Sequence, residues 1–389
     1  MSGSDWVSAS ATSLARDIRG GRRSSLEVVT AVLERIEAVN PRLNAVVQRV
    51  DGVLDAARHA DAALAEGRSI GPLHGLPFTI KDSYDTAGTV TTAGTVGWRE
   101  RVPDRDATVV ARLGAAGAIL VGKTNTPEFT WSDETDNDVY GRTSNPYDLA
   151  RTPGGSSGGS AAIVAAGASP FDVGSDTGDS IRQPAHVCGV AGIKPTAGRV
   201  PRTGHWPDFR GLFQAFTQLG PIARWVEDLE LVLPIICGPD GTDPFVYPAP
   251  LRDSAAVLVA DLRVALFTDN GVRTPTPETI DAVRAAAAAL AAAGAMVDER
   301  RPPGLDEAAE AWQAMIAADG HAWLARLISA AGTPGHGSYD MRGWVQFDDG
   351  LPGADLTALV ERADTVRSRM LGWMADVDVM VCPAMPQPA

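Results

Sequence analysis

Lysine is scarce in this 389-residue chain: Lys81, Lys123 and Lys194 are its three lysines, and all the rest of its 34 basic residues are arginine. A guanidinium stays protonated, whereas an amine can lose its proton, so a lysine kept on an arginine-rich background marks a place where a compact or neutral amine matters. Lys81 closes an apolar run, and two loops of small hydroxyl residues lie downstream of it. They read Gly154-Gly155-Ser156-Ser157-Gly158-Gly159-Ser160 and Gly174-Ser175-Asp176-Thr177-Gly178-Asp179-Ser180-Ile181-Arg182. A serine hydroxyl is a poor nucleophile until a neighbour takes its proton. A lysine can do so only when neutral, which from a pKa near 10.4 costs about 4.6 kcal/mol at pH 7. Burial away from carboxylates lowers that cost, because desolvation disfavours the ammonium. The chemistry offered by these residue types together is acyl transfer on a serine–serine–lysine arrangement.

Two shorter patterns match without explaining as much. Gly117 to Thr124 fits the phosphate-loop string, but its variable positions are Ala-Ile-Leu-Val, which is strand-like. Gly154-Gly-Ser156-Ser-Gly158 fits the nucleophile elbow, which needs a histidine partner. His186, His205, His321 and His336 are available, none in a clear strand-end context, and the elbow leaves the second serine loop unused.

The elements that must position these loops follow from periodicity. Ser24-Ser25-Leu26-Glu27 is a capping box opening a helix that should stop at Asn40-Pro41, and a second helix spans about Val53 to Glu66. Leu76–Ile80 reads as a buried strand delivering Lys81 at its end, with further strands at Ala118–Val121 and Phe171–Gly174 and a helix between them at Ser160–Ala166. Residues 201–216 carry aromatics without periodicity, which suits a loop lining a pocket. Beyond them come a helix at Val226–Ile236, a strand at Leu262–Phe267, a helix at Glu278–Ala293, helical stretches at 305–330 and 355–375, and a strand at Val377–Val381. Alternating strands and helices predict an α/β fold with a mixed, mostly parallel central sheet covered by helices on both sides. With no repeat and no linker, residues 1–389 read as one domain: N-terminal helices over 1–70, a catalytic core over 71–200, and the pocket loop, helices and remaining sheet over 201–389.

The lysine and the two serine loops resemble the amidase signature family. So do Pro72-Leu-His-Gly-Leu-Pro-Phe-Thr-Ile-Lys81-Asp82, Gly122-Lys-Thr-Asn125, Gln183-Pro-Ala185, Cys188-Gly-Val-Ala-Gly-Ile-Lys-Pro195 and Gly220-Pro-Ile-Ala-Arg224, so that matching blocks run from about residue 24 to 236. The resemblance implies Ser180 as the acyl-forming nucleophile, Ser156 as the bridging serine after a cis Gly155–Ser156 bond, and Lys81 as the base. It also implies an oxyanion hole from the backbone of Thr177, Gly178, Asp179 and Ser180. Asp176 and Arg182 are expected to form a structural ion pair bracing that loop. Thr130, Trp131, Tyr140, His205 and Trp206 are candidate pocket walls.

The chain departs from the resemblance at two places. Asp179 stands where the family usually has glycine, which suggests a left-handed backbone that aspartate tolerates, with its side chain turned outward. The sharper alternative is a carboxylate that selects a cationic or donor-bearing substrate group. The C-terminal part also reads as incomplete, since similar chains continue past a strand like Val377–Val381 with a further strand and helix.

Composition narrows the classes. A net charge of −14 argues against nucleic acid or an anionic membrane surface as main partner, and 44% hydrophobic residues supply a core. Cys188, Cys237 and Cys382 are scattered, which suits a reducing cytoplasmic compartment and neither a disulfide frame nor a metal site. The expectation is an amidohydrolase with no metal and no organic cofactor, acting on a small-molecule amide, carbamate or ester. The alternatives are a carbamate or aryl ester hydrolase, the glutaminase subunit of a tRNA-dependent amidotransferase, or a catalytically silent binding protein. Oligomeric state stays open, a homodimer included.

Overall fold

A computed structural model describes residues 6–69, 71–334, 345 and 347–389. The fold is mixed α/β and forms two compact units. The first runs to Pro250 and takes up the chain again from Leu327; the second comprises Leu251–Arg326 and Val345–Pro388.

The first unit opens with α1 (Ala11–Arg19), α2 (Ser25–Leu43), β1 (Val46–Arg49) and α3 (Val53–Ala65). The capping box at Ser24 is formed: its hydroxyl accepts the Glu27 amide, and its own amide donates to the Glu27 carboxylate at 2.7 Å. The helix does not stop at Asn40-Pro41 but runs to Leu43 with Pro41 inside. The Asn44 amide donates to the Asn40 carbonyl at 2.8 Å, so the backbone bond that spans Pro41 closes the final turn. There follow β2 (Pro77–Lys81), α4 (Thr108–Ala115), β3 (Ile119–Thr124), α5 (Gly158–Ala165), β4 (Phe171–Asp176), α6 (Arg182–Val187), β5 (Ala191–Gly192), β6 (Gln218–Ala223) and α7 (Val226–Ile236).

β3 lies between β1, antiparallel, and β2, parallel. β6 lies between β4 and β5, antiparallel to both. The two ladders meet where Phe78 of β2 stacks on Phe171 of β4 at 5.3 Å and the Thr79 hydroxyl donates to Asp172 at 2.7 Å. Alternation along these strands gives them two unlike faces. Phe78, Ile80, Phe171 and Val173 join Leu14, Ile18, Leu113 and Val232 in one apolar layer built with α1, α4 and α7. A second layer brings Val121 together with Val29, Val32, Ala57 and Ile163 from α2, α3 and α5. Thr79, Lys81 and Asp172 alternate with the first layer and are themselves fully buried. They form a polar stratum inside the unit, beside the start of α5.

The second unit holds β7 (Arg263–Leu266), α8 (Pro277–Ala292), β8 (Met296–Glu299), α9 (Leu305–Ile316), the first residues of α10 (Ala322–Ala331), α11 (Gly353–Trp373) and β9 (Val379–Val381). β7 pairs parallel with both β8 and β9. The helical stretch expected over 305–330 is broken between α9 and α10, where Gly320 and His321 take φ of +61° and +57°. Among the described residues no helix is long and apolar enough to cross a membrane.

Candidate active site

β2 delivers Lys81 into the polar stratum, where its Nζ meets three hydroxyls. Ser156 Oγ is 2.5 Å away, Ser175 Oγ 3.0 Å and Ser157 Oγ 3.1 Å. An ammonium would donate to all three; a neutral amine has two protons and one lone pair, so it can donate to two hydroxyls and accept from the third. Burial pushes the Lys81 pKa well below that of an ordinary lysine, against the pull of the Asp176 and Asp172 charges. Lys81 is the counterpart of neither carboxylate in an ion pair among the described residues.

The two serine loops are tied to each other and to α6. The Ser157 amide donates to the Ser180 carbonyl at 3.1 Å, and the Ser157 hydroxyl donates to the Ser175 carbonyl at 3.3 Å. The Gly155 amide donates to the Gln183 side chain at 2.8 Å, and Gly155–Ser156 is a cis peptide bond. Glycine is required at 155 because a Cβ there would stand 2.5 Å from the Asp133 carbonyl carbon. This places the 132–134 segment directly against the loop that carries Ser156. Ser180 is nearly buried at the turn into α6. Among the described residues the amides of Gly178, Asp179 and Ser180 have no protein acceptor, and the next two amides, of Ile181 and Arg182, donate to Asp176 at 3.1 and 3.3 Å.

Asp176 braces the loop as expected: Arg182 pairs with it at 2.9 Å, and Lys194 joins at 3.0 Å while also donating to the Thr177 carbonyl. Burial would raise the Asp176 pKa, but these donors and charges outweigh it and hold it at about 2. Lys123 is also a structural lysine. It is buried on β3, donates to the Tyr84 carbonyl at 2.6 Å and to Thr91, and lies 3.5 Å from Asp82. The phosphate-loop string around it is thus a strand.

The left-handed backbone expected at Asp179 is absent. Positive φ among non-glycine residues occurs at Asn44, Ala93, Phe129, Thr130, Phe209 and His321 in the described chain. The Asp179 carbonyl instead accepts the Gln183 amide at 2.8 Å, the bond of an opening helical turn. Nor does the carboxyl behave as a freely solvated one: burial first, then the Asp133 and Asp176 charges, push it up to about 7.

The aromatic candidates divide. His205 is buried, its edge packed on Tyr84 at 4.9 Å, while the Trp206 amide donates to the Ser83 carbonyl at 2.7 Å. The 201–216 loop therefore runs along the segment that follows Lys81. His205 Nδ1 lies 2.8 Å from the Pro207 carbonyl, so that nitrogen must carry the proton, and Nε2 accepts from Ser83 at 3.0 Å. Burial and the Lys81 charge press the imidazole pKa down to about 3. The ring is neutral and both its nitrogens are engaged, with none left to serve Ser156. Trp131 stacks on Phe209 at 6.3 Å and edges Phe213 at 5.4 Å, and Thr130 precedes it with φ of +59°. Trp206 packs against Trp98, with the Arg101 guanidinium over both rings. The Tyr140 hydroxyl accepts from Gln48 on β1 at 2.9 Å, and none of its hydrogen bonds reaches the serines. His186 lies on α6, His321 belongs to the second unit, and His336 is outside the described residues.

Sequence reasoning does not single out Ser157, Ser175, Asp172 or Tyr84. Tyr84 donates to the Gly174 carbonyl at 2.7 Å, fixing the residue before Ser175. A usable signal exists for Ser175, because on a strand ending at Asp176 its side chain must point opposite to the bracing carboxylate.

Comparison with known proteins adds independent findings. The family model described as Amidase matches residues 27–389. A glutamyl-tRNA(Gln) amidotransferase subunit of Moorella thermoacetica is 42% identical over 307 residues, which is 78% of this chain and 62% of that protein. Its counterpart in Salinispora arenicola is 40% identical over 334 residues, 83% of this chain and 67% of that one. Among solved structures, a fatty acid amide hydrolase superposes with a TM-score of 0.90 at 28% identity, covering 100% of this chain and 69% of its own. A 6-aminohexanoate cyclic dimer hydrolase complexed with substrate gives 0.82 at 31% identity, covering 97% and 79%. The chain thus spans less than two thirds of the Moorella relative's length.

Proposed function

The chain belongs to the amidase family, and from that premise we propose that it hydrolyses a carbon–nitrogen amide bond through an acyl-serine intermediate on Ser180. The observation that carries this reading is the buried Lys81 amine, held by serine hydroxyls and disfavoured as a cation. Ser180 Oγ attacks the carbonyl carbon and its proton passes through Ser156 to Lys81. The reverse transfer protonates the departing amine, the C–N bond breaks, and water then cleaves the acyl ester by the same relay. The amides at 177–180 receive the developing oxyanion, an arrangement in which each donor is worth about a hundredfold or more in rate. The walls are the His205–Phe213 segment and Trp131.

The test is an active-site-directed fluorophosphonate followed by a substrate panel of aliphatic amide, anilide, glutamine, carbamate and ester. Labelling that disappears in Ser180→Ala supports the enzyme. A folded wild-type chain that takes no label favours the silent binding protein and ends this reading.

A second reading has a specific support: the amidotransferase subunits are 40–43% identical to this chain, above the 27–32% of the similar solved structures. On that reading the amide is the side chain of glutamine and the ammonia is passed on within a tRNA-dependent assembly. An acidic charge of −14 does not oppose it, since contact with RNA can fall to a partner protein. Glutaminase activity that rises on adding the other amidotransferase subunits would establish it, whereas turnover of anilides with glutamine inert would return the assignment to a free-standing hydrolase.

A further inference from the structure

The reaction just outlined leaves one buried acid unused. Asp172, on β4, is fully buried and feels the Lys81 charge. Its Oδ2 accepts from Thr79 at 2.7 Å and from Thr124 at 3.1 Å, and Thr124 shares a 3.0 Å hydrogen bond with Ser160 at the start of α5. Its Oδ1 is buried with no hydrogen-bond partner among the described residues. Thr79 lies two residues before Lys81 on the same face of β2. A carboxylate in such a position is costly unless a charge compensates it, and the nearby group able to become cationic is the Lys81 amine.

We propose that Asp172 is a positioning residue, a buried counter-charge that stabilises the Lys81 ammonium formed when the serine proton is transferred and so sets the pH at which Lys81 becomes competent. The inference rests on the acyl-serine reading above. The other groups facing Lys81 cannot take this part. Asp176 is committed to Arg182 and Lys194 and is ionised throughout the working range. His205 stays neutral, and burial drives the Tyr84 phenol well above its usual pKa, so it too stays neutral. Asp172, pushed up to about 6 by burial against the hydrogen bonds of Thr79, Ser160 and Thr124, is ionised at neutral pH and can change charge just below it. Asp179 titrates near the same range, but the charges it feels are those of Asp133, Asp176, Arg182 and Lys194.

The sign is definite. A negative Asp172 favours the ammonium, so losing that charge makes Lys81 give up its proton at lower pH, while the ammonium formed in the transition state is less well held. The experiment measures the rate of fluorophosphonate labelling of the full chain against pH. In that reaction the Ser180 oxygen forms a bond to phosphorus, fluoride leaves, and the proton goes to Lys81. In Asp172→Asn the acid limb should move down by about one pH unit, and the plateau rate should fall. Thr79→Val withdraws a donor from the carboxylate and keeps it protonated over more of the range. It should shift the limb the same way by less, and it carries the test if Asp172→Asn fails to fold. Asp179→Gly separates the other carboxyl and should leave the Asp172→Asn shift in place. A plateau loss with an unmoved limb in both Asp172→Asn and Thr79→Val overturns the proposal, because a structural role alone changes amplitude. Absence of Ser180-dependent labelling in wild type instead defeats the acyl-serine reading itself.

Discussion

Lys81 Nζ and Ser156 Oγ stand 2.5 Å apart inside a fully buried polar stratum. The two residues come from elements 75 positions apart in the chain, the end of β2 and the loop leading into α5. Hydroxyls surround the amine where an ion pair would be the ordinary solution for a buried lysine. That choice of neighbours keeps the proton mobile.

If the amine is the base, its replacement should be felt in the chemical step more than in folding. Lys81→Met is expected to lower kcat by about a thousandfold or more, with the thermal midpoint preserved, since an apolar side chain of similar size removes a group that burial penalises. Lys81→Arg should be as inactive, because a guanidinium cannot accept the proton. Steady-state kinetics alongside a melting curve separates these effects; near-wild-type turnover in either variant would exclude Lys81 as base.

Ser175 supplies the hydroxyl that orients the amine from the side of β4, 3.0 Å away. Ser175→Ala should cost about tenfold in kcat, the equivalent of one buried hydrogen bond, with KM little changed. Ser180→Ala should abolish labelling altogether. Equal losses in the two variants would make Ser175 part of the nucleophilic relay and contradict the roles assigned here.

The Asp176 brace should appear in acid stability. Its carboxyl is held at about 2 against a reference of 3.8. The folded state therefore gains about 2 kcal/mol above the reference value. That gain is progressively lost as pH falls from 3.8 towards 2. Arg182→Ala should weaken this dependence, which urea melts between pH 2 and 6 would measure. A stability profile identical to wild type would show that Arg182 does not hold the carboxylate.

Asp179 carries the opposite sign. Its folded pKa is raised to about 7 from 3.8, so the unfolded chain releases this proton first and folding is penalised increasingly between those values. Asp179→Asn should stabilise the chain above pH 7 and change nothing near pH 3. Paired melts at pH 8 and pH 3 test this, and a gain at both would point to some cause other than charge. If the carboxylate also selects a cationic substrate group, Asp179→Gly should favour neutral over cationic amides.

How much of this is legible in the sequence depends on the range of the interaction. The cap at Ser24, the helix at Val226–Ile236, the strand ending at Lys81 and the stop at Gly167 are local events, written within a few residues. β6 escapes because it carries Gly220 and Pro221, which read as a turn; it survives as a strand since Pro221 pairs with Val173 of β4 where β5 has already ended. β1 and β8 are four-residue strands with no distinct alternation, too short to announce themselves.

The amino-acid order alone determined the chemistry on offer: a lone early lysine after an apolar run, two glycine–serine loops, and an arginine to brace the second. Which hydroxyls surround the amine, and which carboxylates do not touch it, was decided by tertiary structure. Strand pairing joins β2 to β3, and β4 of the neighbouring ladder packs against β2, so Ser157 and Ser175 meet Lys81, and Asp172 feels its charge, from segments that carry no local mark of it. Low dielectric then acts on that assembly, and desolvation is a property of the enclosed volume, not of any stretch of sequence.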